Sequence, residues 1–236
     1  MQHYVLDGGK AFITNAGVAD YYVVFASTDA RAGTRGLTCF LVEAAAPGVR
    51  FVGPQVLSEP HPLGEIAFDG CRVRLASRLG AEGEGFKIGM RTLDRLRPTV
   101  AAAACGMAAR ALEEALAHAR ERRQFGKTLA EFQIIQGKLA TMATELAAAR
   151  LLVYRAAWEA DNGAERVTLE AAMAKSFATE AAQRIVDDAV QIHGGAGVLA
   201  ASPVDLLYRS VRALRIYEGA TEVQHLVIAR DLLRSS

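Results

Sequence analysis

The sequence predicts an α+β chain, mainly α: a partial antiparallel β-barrel over residues 1–79, then an antiparallel four-helix bundle over 80–236. Two observations predict it. Up to about residue 80, short β-rich runs alternate with turn residues; beyond Gly85 the apolar residues recur at helical spacing.

The β part begins with Tyr4-Val5-Leu6, Asp7-Gly8-Gly9 and Lys10 to Thr14, which predicts a hairpin, because glycine supplies the positive φ that a tight turn needs. Further strands are predicted at Tyr21–Ala26, Leu37–Val42, Val49–Val52, Glu65–Phe68 and Arg72–Leu75. The run at Gly80, Gly83 and Gly85 reads as a linker, since Glu82 and Glu84 would repel a phosphate. A first helix is expected from about Phe86 to Arg120, kinked or split at Pro98, which lacks a backbone donor. Ile135, Leu139, Met142, Leu146, Ala149 and Val153 form one apolar stripe, and Ala178, Ala182, Ile185, Ala189 and Ile192 form another. Alanines on those stripes let helices approach closely. A last helix is expected over Ala220–Leu233.

Composition narrows the function classes. A net charge of +1 gives no electrostatic footprint for nucleic acid, and the seven basic and seven acidic residues before residue 80 cancel. No run of apolar residues is long enough to span a membrane, and the first residues resemble a strand rather than a targeting signal. Cys39, Cys71 and Cys105 are scattered and odd in number, so a reducing cytoplasm is expected rather than a disulfide framework. The histidines at 3, 61, 118, 193 and 225 lack ligand spacing, so no metal site is expected.

Three stretches could carry chemistry. Arg122-Arg123-Gln124-Phe125-Gly126 reads either as a helix C-terminus capped by glycine or as guanidinium groups and a ring that hold an anionic planar ligand. Gln191-Ile192-His193-Gly194-Gly195-Ala196-Gly197 reads as a helix stop, yet three glycines in four residues exceed the needs of one cap and would admit a ligand. In Ile216-Tyr217-Glu218-Gly219-Ala220-Thr221, Glu218 is either a solvated turn residue or a carboxylate whose apolar neighbours make it a useful base.

Together with Gly9-Lys10-Ala11-Phe12-Ile13-Thr14-Asn15 and Ala19-Asp20, these stretches resemble, in order and separation, the acyl-CoA dehydrogenase family along the entire chain. The resemblance implies that the first part belongs to the middle β-domain and the second is the C-terminal helical domain. It further implies that the family's N-terminal helical domain is not among these residues. It implies an FAD cofactor, with Phe12, Ile13 and Thr14 against the flavin. Arg122, Gln124, Phe125, Gln191, Gly194 and Gly195 would reach the FAD of a neighbouring subunit, so a homodimer or homotetramer follows, and Gln133 would be a further cofactor contact. Asp94, Arg97, Tyr217, Gly219 and Arg230 match positions that meet the acyl-CoA. Glu218 would remove the α-proton of the thioester while a hydride passes to the flavin, and an electron-transferring flavoprotein would collect the electrons. Relatives that carry the base on an earlier helix would place it near Leu96, which is apolar here.

The chain departs from the family pattern in having Ala220 directly after the Glu-Gly pair, so a hydroxyl near the cofactor would have to come from Thr221. The strand ending Val73-Arg74-Leu75 also lacks a proline that relatives often carry. Two alternatives stand beside the dehydrogenase reading. One is a non-catalytic truncated or assembly subunit, completed by a second polypeptide that supplies the N-terminal half. The other is an acyl-CoA oxidase or related flavoenzyme on the same fold.

Overall fold

The computed structural model describes residues 3–59 and 61–234; Met1 and Gln2, which open the first predicted strand, lie outside them. The chain forms two compact units, Met1–Thr92 and Leu93–Ser236, and the division falls inside the first long helix.

In the first unit, β1 (His3–Thr14), β5 (Leu63–Arg74) and β4 (Val49–Pro54) form one antiparallel sheet in the order β1-β5-β4. A second sheet joins β2 (Tyr21–Ser27), β3 (Leu37–Glu43) and the short β6 (Arg78–Leu79) in the order β2-β3-β6. Period-2 side chains from β1, β2, β3 and β5 build the core: Leu6, Tyr22, Val24, Phe40, Val42, Ile66, Phe68, Cys71 and Val73 are all buried. The two sheets are the β-barrel fragment expected from the sequence, seen without closure among the described residues.

The hairpin expected at Asp7-Gly8-Gly9 is not formed. That segment is a bulge inside the continuous strand β1, and the register against β5 shifts between Leu6 and Gly8. Gly8 sits at φ 129°, and the Asp7 carboxylate accepts the Gly70 N–H at 2.7 Å, so the side chain replaces a missing ladder bond. Opposite it, the two strands predicted at 65–68 and 72–75 are one strand. Burial along β5 falls on Gly64, Ile66 and Phe68, then on Cys71 and Val73. The alternation changes phase at Asp69-Gly70, which keeps apolar residues on one face through the bulge. Positive φ was correctly expected here; it serves a bulge because a partner strand long enough to span both halves exists.

The second unit holds α1 (Gly85–Glu121), whose first turns lie before the division, α2 (Gln133–Asp161), α3 (Thr168–His193), α4 (Pro203–Leu214) and α5 (Thr221–Leu232). Pro98 does not split α1. A single missing donor costs roughly 3 kcal/mol, and the six buried alanines that follow at helical spacing, Ala101, Ala104, Ala108, Ala111, Ala115 and Ala119, offset it by packing. The stripes predicted for α2 and α3 face the same core, with Met142, Leu146, Ala149, Val153, Ala178, Ala182, Ile185, Ala189 and Ile192 buried. Helix α3 lies at the centre, packed against α2, α4 and α5. No described helix is long and apolar enough to cross a membrane.

The bulge carries a direct test. Gly8→Ala forces a Cβ into positive φ and is expected to cost about 1–2 kcal/mol, whereas Gly9→Ala, at ordinary φ with only the Ile66 carbonyl 3.8 Å away, is expected to stay within about 0.5–1 kcal/mol. Urea-denaturation midpoints of the two variants check the ordering.

Candidate active site

The junction of α4 and α5 gathers a cluster of buried polar side chains, Arg97, Lys175, Thr221 and Gln224 among them. Helix α4 ends at Leu214, and the chain turns through Tyr217-Glu218-Gly219 before α5 begins. Glu218 has φ 57° and Gly219 φ 96°. The left-handed region is unfavourable for a residue with a Cβ, so neighbours must hold Glu218 there. Three donors do so. Arg97 Nε donates to the Glu218 carbonyl at 3.1 Å, and Lys175 Nζ donates to the Gly219 carbonyl at 2.8 Å. Gln224 Nε2 donates to Gly219 at 2.9 Å and, more weakly, to Glu218 at 3.4 Å. Glycine is favoured at 219 by its φ, and a Cβ there, 2.5 Å from Gln224 Nε2, would displace that donor.

The Glu218 carboxylate is left free. Its Oε2 is buried and has no hydrogen-bond partner among the described residues. An oxygen in that condition is ready to take a proton from a ligand rather than from a protein donor. Burial, with the Glu218 charge adding to it, pushes the Tyr217 phenol above its usual range.

Asp94 and Arg97, expected to meet the ligand, are 8% and 4% exposed and engaged with protein groups. Arg97 pairs with Asp94 at 3.5 Å, and Asp94 accepts the Thr168 hydroxyl at 2.5 Å. Their bonds run from α1 to the start of α3 and to the Glu218 turn. Thr221, expected near a cofactor, is buried with its hydroxyl donated to Glu180 Oε1 at 2.7 Å. The same carboxylate takes a two-pronged ion pair from Arg215. Burial pushes Glu180 up, but the bonds from Arg215 and Thr221 outweigh it and hold the carboxyl below the usual range. Arg230 is exposed near the end of α5, nine residues past Thr221 and roughly 14 Å along the axis.

The other two stretches of this unit meet at a different end. The His118 and His193 rings stack 4.3 Å apart, which joins the C-terminal ends of α1 and α3. Burial, then the neighbouring His193 and Arg122 charges, lower the His118 pKa. Just past His118, Arg123–Gln124 (β7) and Lys127–Thr128 (β8) pair as a small hairpin. Gly126 therefore does not cap a helix; it shares a two-residue turn with Phe125, at φ 83° and 52°, the pattern of a type I′ turn. The turn presents Phe125, 91% exposed, edge-on to Phe132. Arg122, Gln124 and Gln133 are exposed beside it.

Past His193, the three glycines separate by cause. Gly194 needs its φ of 60°, and Gly197 is buried where a Cβ would lie 2.6 Å from the Val190 carbonyl. Gly195 needs neither, for a Cβ there would meet nothing. Gln191, Gly194 and Gly195 are exposed, so the backbone is open to close approach from outside the chain. From Lys175 to Gly194, α3 runs roughly 28 Å, so the Glu218 cluster and this end are separate places on one helical unit.

In the first unit, a second bulge between Lys10 and Ile13 puts Phe12 at φ 57° and 70% exposed. Its N–H donates to Gln55 Oε1 at 2.6 Å, and Gln55 in turn donates to Glu65. Ile13 points into the β core, while the Thr14 hydroxyl lies 3.5 Å from His61 Nε2. The sequence offered no signal for Gln55, Lys175, Glu180 or Gln224, because Phe12, Gly219, Arg215 and Thr221, which the first three bond, lie at least 35 residues from them, and Gln224 bonds a turn whose φ is not written in residue type. Among the described residues, no group of His, Cys, Asp and Glu could hold a metal ion.

Burial, with the Arg97 charge adding to it, lowers the Lys175 pKa to about 8. The unfolded chain therefore binds more protons between pH 8 and about 10.4. Holding Lys175 charged opposes folding in full below that window and less as pH rises through it. The stability of the parent relative to Lys175→Met is expected to increase from pH 8 to 10.5, read from paired urea midpoints.

Comparison with known proteins meets this geometry directly. Residues 83–233 match the model of the acyl-CoA dehydrogenase C-terminal domain, and residues 1–71 match that of the middle domain. A 3-(aryl)acrylate reductase of Clostridium sporogenes is 45% identical over 98% of this chain and 62% of its own length. The caffeyl-CoA reductase-Etf complex subunit CarC of Acetobacterium woodii is 42% identical over 98% of the chain and 62% of its own. The solved butyryl-CoA dehydrogenase of Megasphaera elsdenii superimposes with a TM-score of 0.96 at 42% identity, covering 98% of this chain and 61% of that one. The chain thus spans about three fifths of the length of the curated relatives it matches.

Proposed function

The chain belongs to the acyl-CoA dehydrogenase family, and from that premise we propose that its protein moves a proton and a hydride at the α and β carbons of an acyl-CoA thioester. One observation carries the proposal: a buried carboxylate oxygen on Glu218 with no donor among the described residues, on a turn whose backbone is held by three.

The α-proton of a thioester is weakly acidic, so its removal needs a base placed at that carbon and donors for the developing enolate charge. Glu218 is the base. Its free Oε2 takes the α-proton, and burial excludes the water that would otherwise compete for it. Tyr217 and Gly219 flank the reacting carbons, and Arg230 is the candidate contact for the far end of the thioester ligand. Bound FAD would supply the hydride acceptor.

The residues fit such a cofactor in two separate places. Phe12, on its outward bulge, offers an aromatic face with Ile13 and Thr14 beside it. Gly194 and Gly195 offer bare backbone next to Gln191, and the Phe125 turn offers Arg122, Gln124 and a ring, with Gln133 nearby. The separation of that end from Glu218 along α3 supports assigning it to the cofactor of a neighbouring subunit, in a homodimer or a larger assembly. Thr221 does not supply a hydroxyl to the cofactor in this reading, since Glu180 holds it.

The name of CarC supports an electron-transferring flavoprotein as partner. The reductase names among the relatives support a reading in which that partner sets the net direction of electron flow. An oxidase would instead release its electrons to oxygen, which peroxide formation under air measures.

Glu218→Gln keeps shape and removes the base. The variant of the FAD-loaded protein is expected to retain its visible flavin spectrum and lose at least a thousandfold in the rate of flavin bleaching by acyl-CoA, on the order of what a positioned base contributes. Bleaching at the parent rate in stopped flow would remove Glu218 from the chemistry.

A further inference from the structure

We infer that Lys175 is a positioning residue for Glu218, acting through the Gly219 carbonyl; the inference rests on Glu218 being the base. Lys175 is fully buried in the middle of α3, among Ala171, Ala172, Ala174 and Ala178. An interior built of alanine has no use for an ammonium group, and burying a charge is costly unless something needs it there. Its one hydrogen-bond acceptor among the described residues is the Gly219 carbonyl.

The arrangement around Glu218 explains the need. Arg97, Lys175 and Gln224 bring two cations and a carboxamide to the turn, yet each donates to a main-chain carbonyl there, and the rest of the Arg97 guanidinium faces Asp94. None of them reaches Glu218 Oε2. Two carbonyl dipoles beside a buried carboxylate would repel it. Capping them with donors removes that repulsion while leaving the carboxylate oxygen free for a substrate proton. The same bonds hold Glu218 at φ 57°, a conformation the residue would leave if released. Arg97 is steadied by Asp94, itself bonded to Thr168. Among the described residues Lys175 has no such brace; burial and its bond to Gly219 fix it. Helix α3, the most enclosed element of the unit, thereby sets the turn from below.

The test uses the complete FAD-loaded protein with Lys175→Met, Lys175→Gln and Glu218→Gln. For Lys175→Met, the saturating rate of flavin reduction by acyl-CoA is expected to fall at least tenfold, with half-saturation changed less than threefold. Amide exchange at residues 218–221 is expected to rise at least tenfold, while the amides of α2 and the second half of α3 stay as in the parent. Lys175→Gln, a neutral donor, is expected to recover at least threefold of the lost rate. Parent rate and parent exchange in Lys175→Met would overturn the inference, and so would a rise in exchange spread evenly over α2 and α3, which marks general loosening. If Lys175→Met does not fold, parent rate and exchange in Lys175→Gln overturn it just as well when the Gln donor is shown to miss the Gly219 carbonyl in a crystal structure; a partial loss confined to 218–221 upholds it. Undiminished reduction in Glu218→Gln has a different meaning: the base itself is then misassigned, and the role of Lys175 falls with it.

Discussion

The second unit depends on one constraint: a glutamate and a glycine held together in left-handed backbone, with each carbonyl tied to a buried donor. Such a turn is unstable on its own, and local sequence supplies none of what holds it. The donors come from α1, α3 and α5, so the turn exists only when those helices are packed. Packing energy from an alanine-rich core is thus converted into the aim of one carboxylate. This accounts for several features that are otherwise unrelated: the glycine at 219, the lysine inside an apolar helix and the buried Asp94–Arg97 pair.

The same backbone conformation recurs at two exposed rings. Phe12, Phe125 and Glu218 all carry positive φ without being glycine, and each lies in a stretch the sequence singles out. Each is held by a different means: a side-chain amide from Gln55, a two-residue turn closed by β7 and β8, and the carbonyl clamp. Strain of about 1–2 kcal/mol per residue is tolerable against the burial that the sheets and helices supply, and it persists because the surroundings leave no alternative. Asn15 shares the conformation, but asparagine adopts it readily.

Helix α3 connects these places within the helical unit. Its first residue bonds Asp94, its middle supplies Lys175 and Glu180, and its last residue stacks on His118. Small side chains let it sit at the centre, in contact with three other helices. A substitution that lengthens one of its buried alanines would displace the neighbouring helices, because close-packed interiors transmit displacement.

Much of this was legible in residue order. Period-2 and helical spacing located the strands and helices, and four short stretches located the exposed glycines, the ring and the carboxylate. Turn chemistry was legible only as a need for positive φ. Whether Gly8 made a hairpin or a bulge, and whether Gly126 capped a helix or turned a ribbon, depended on which strand lay opposite. The bonds of Arg97 to the Glu218 carbonyl and of Thr221 to Glu180 were not legible for a related reason: polar side chains near a motif look available until burial assigns their donors. By itself, then, the sequence determined which segments become helix or strand and which short stretches face outward, because those follow from side-chain period and backbone freedom. Only tertiary structure decided which donors hold Glu218 and which oxygen stays free, because hydrogen bonds between residues up to 121 positions apart exist only once the chain has packed.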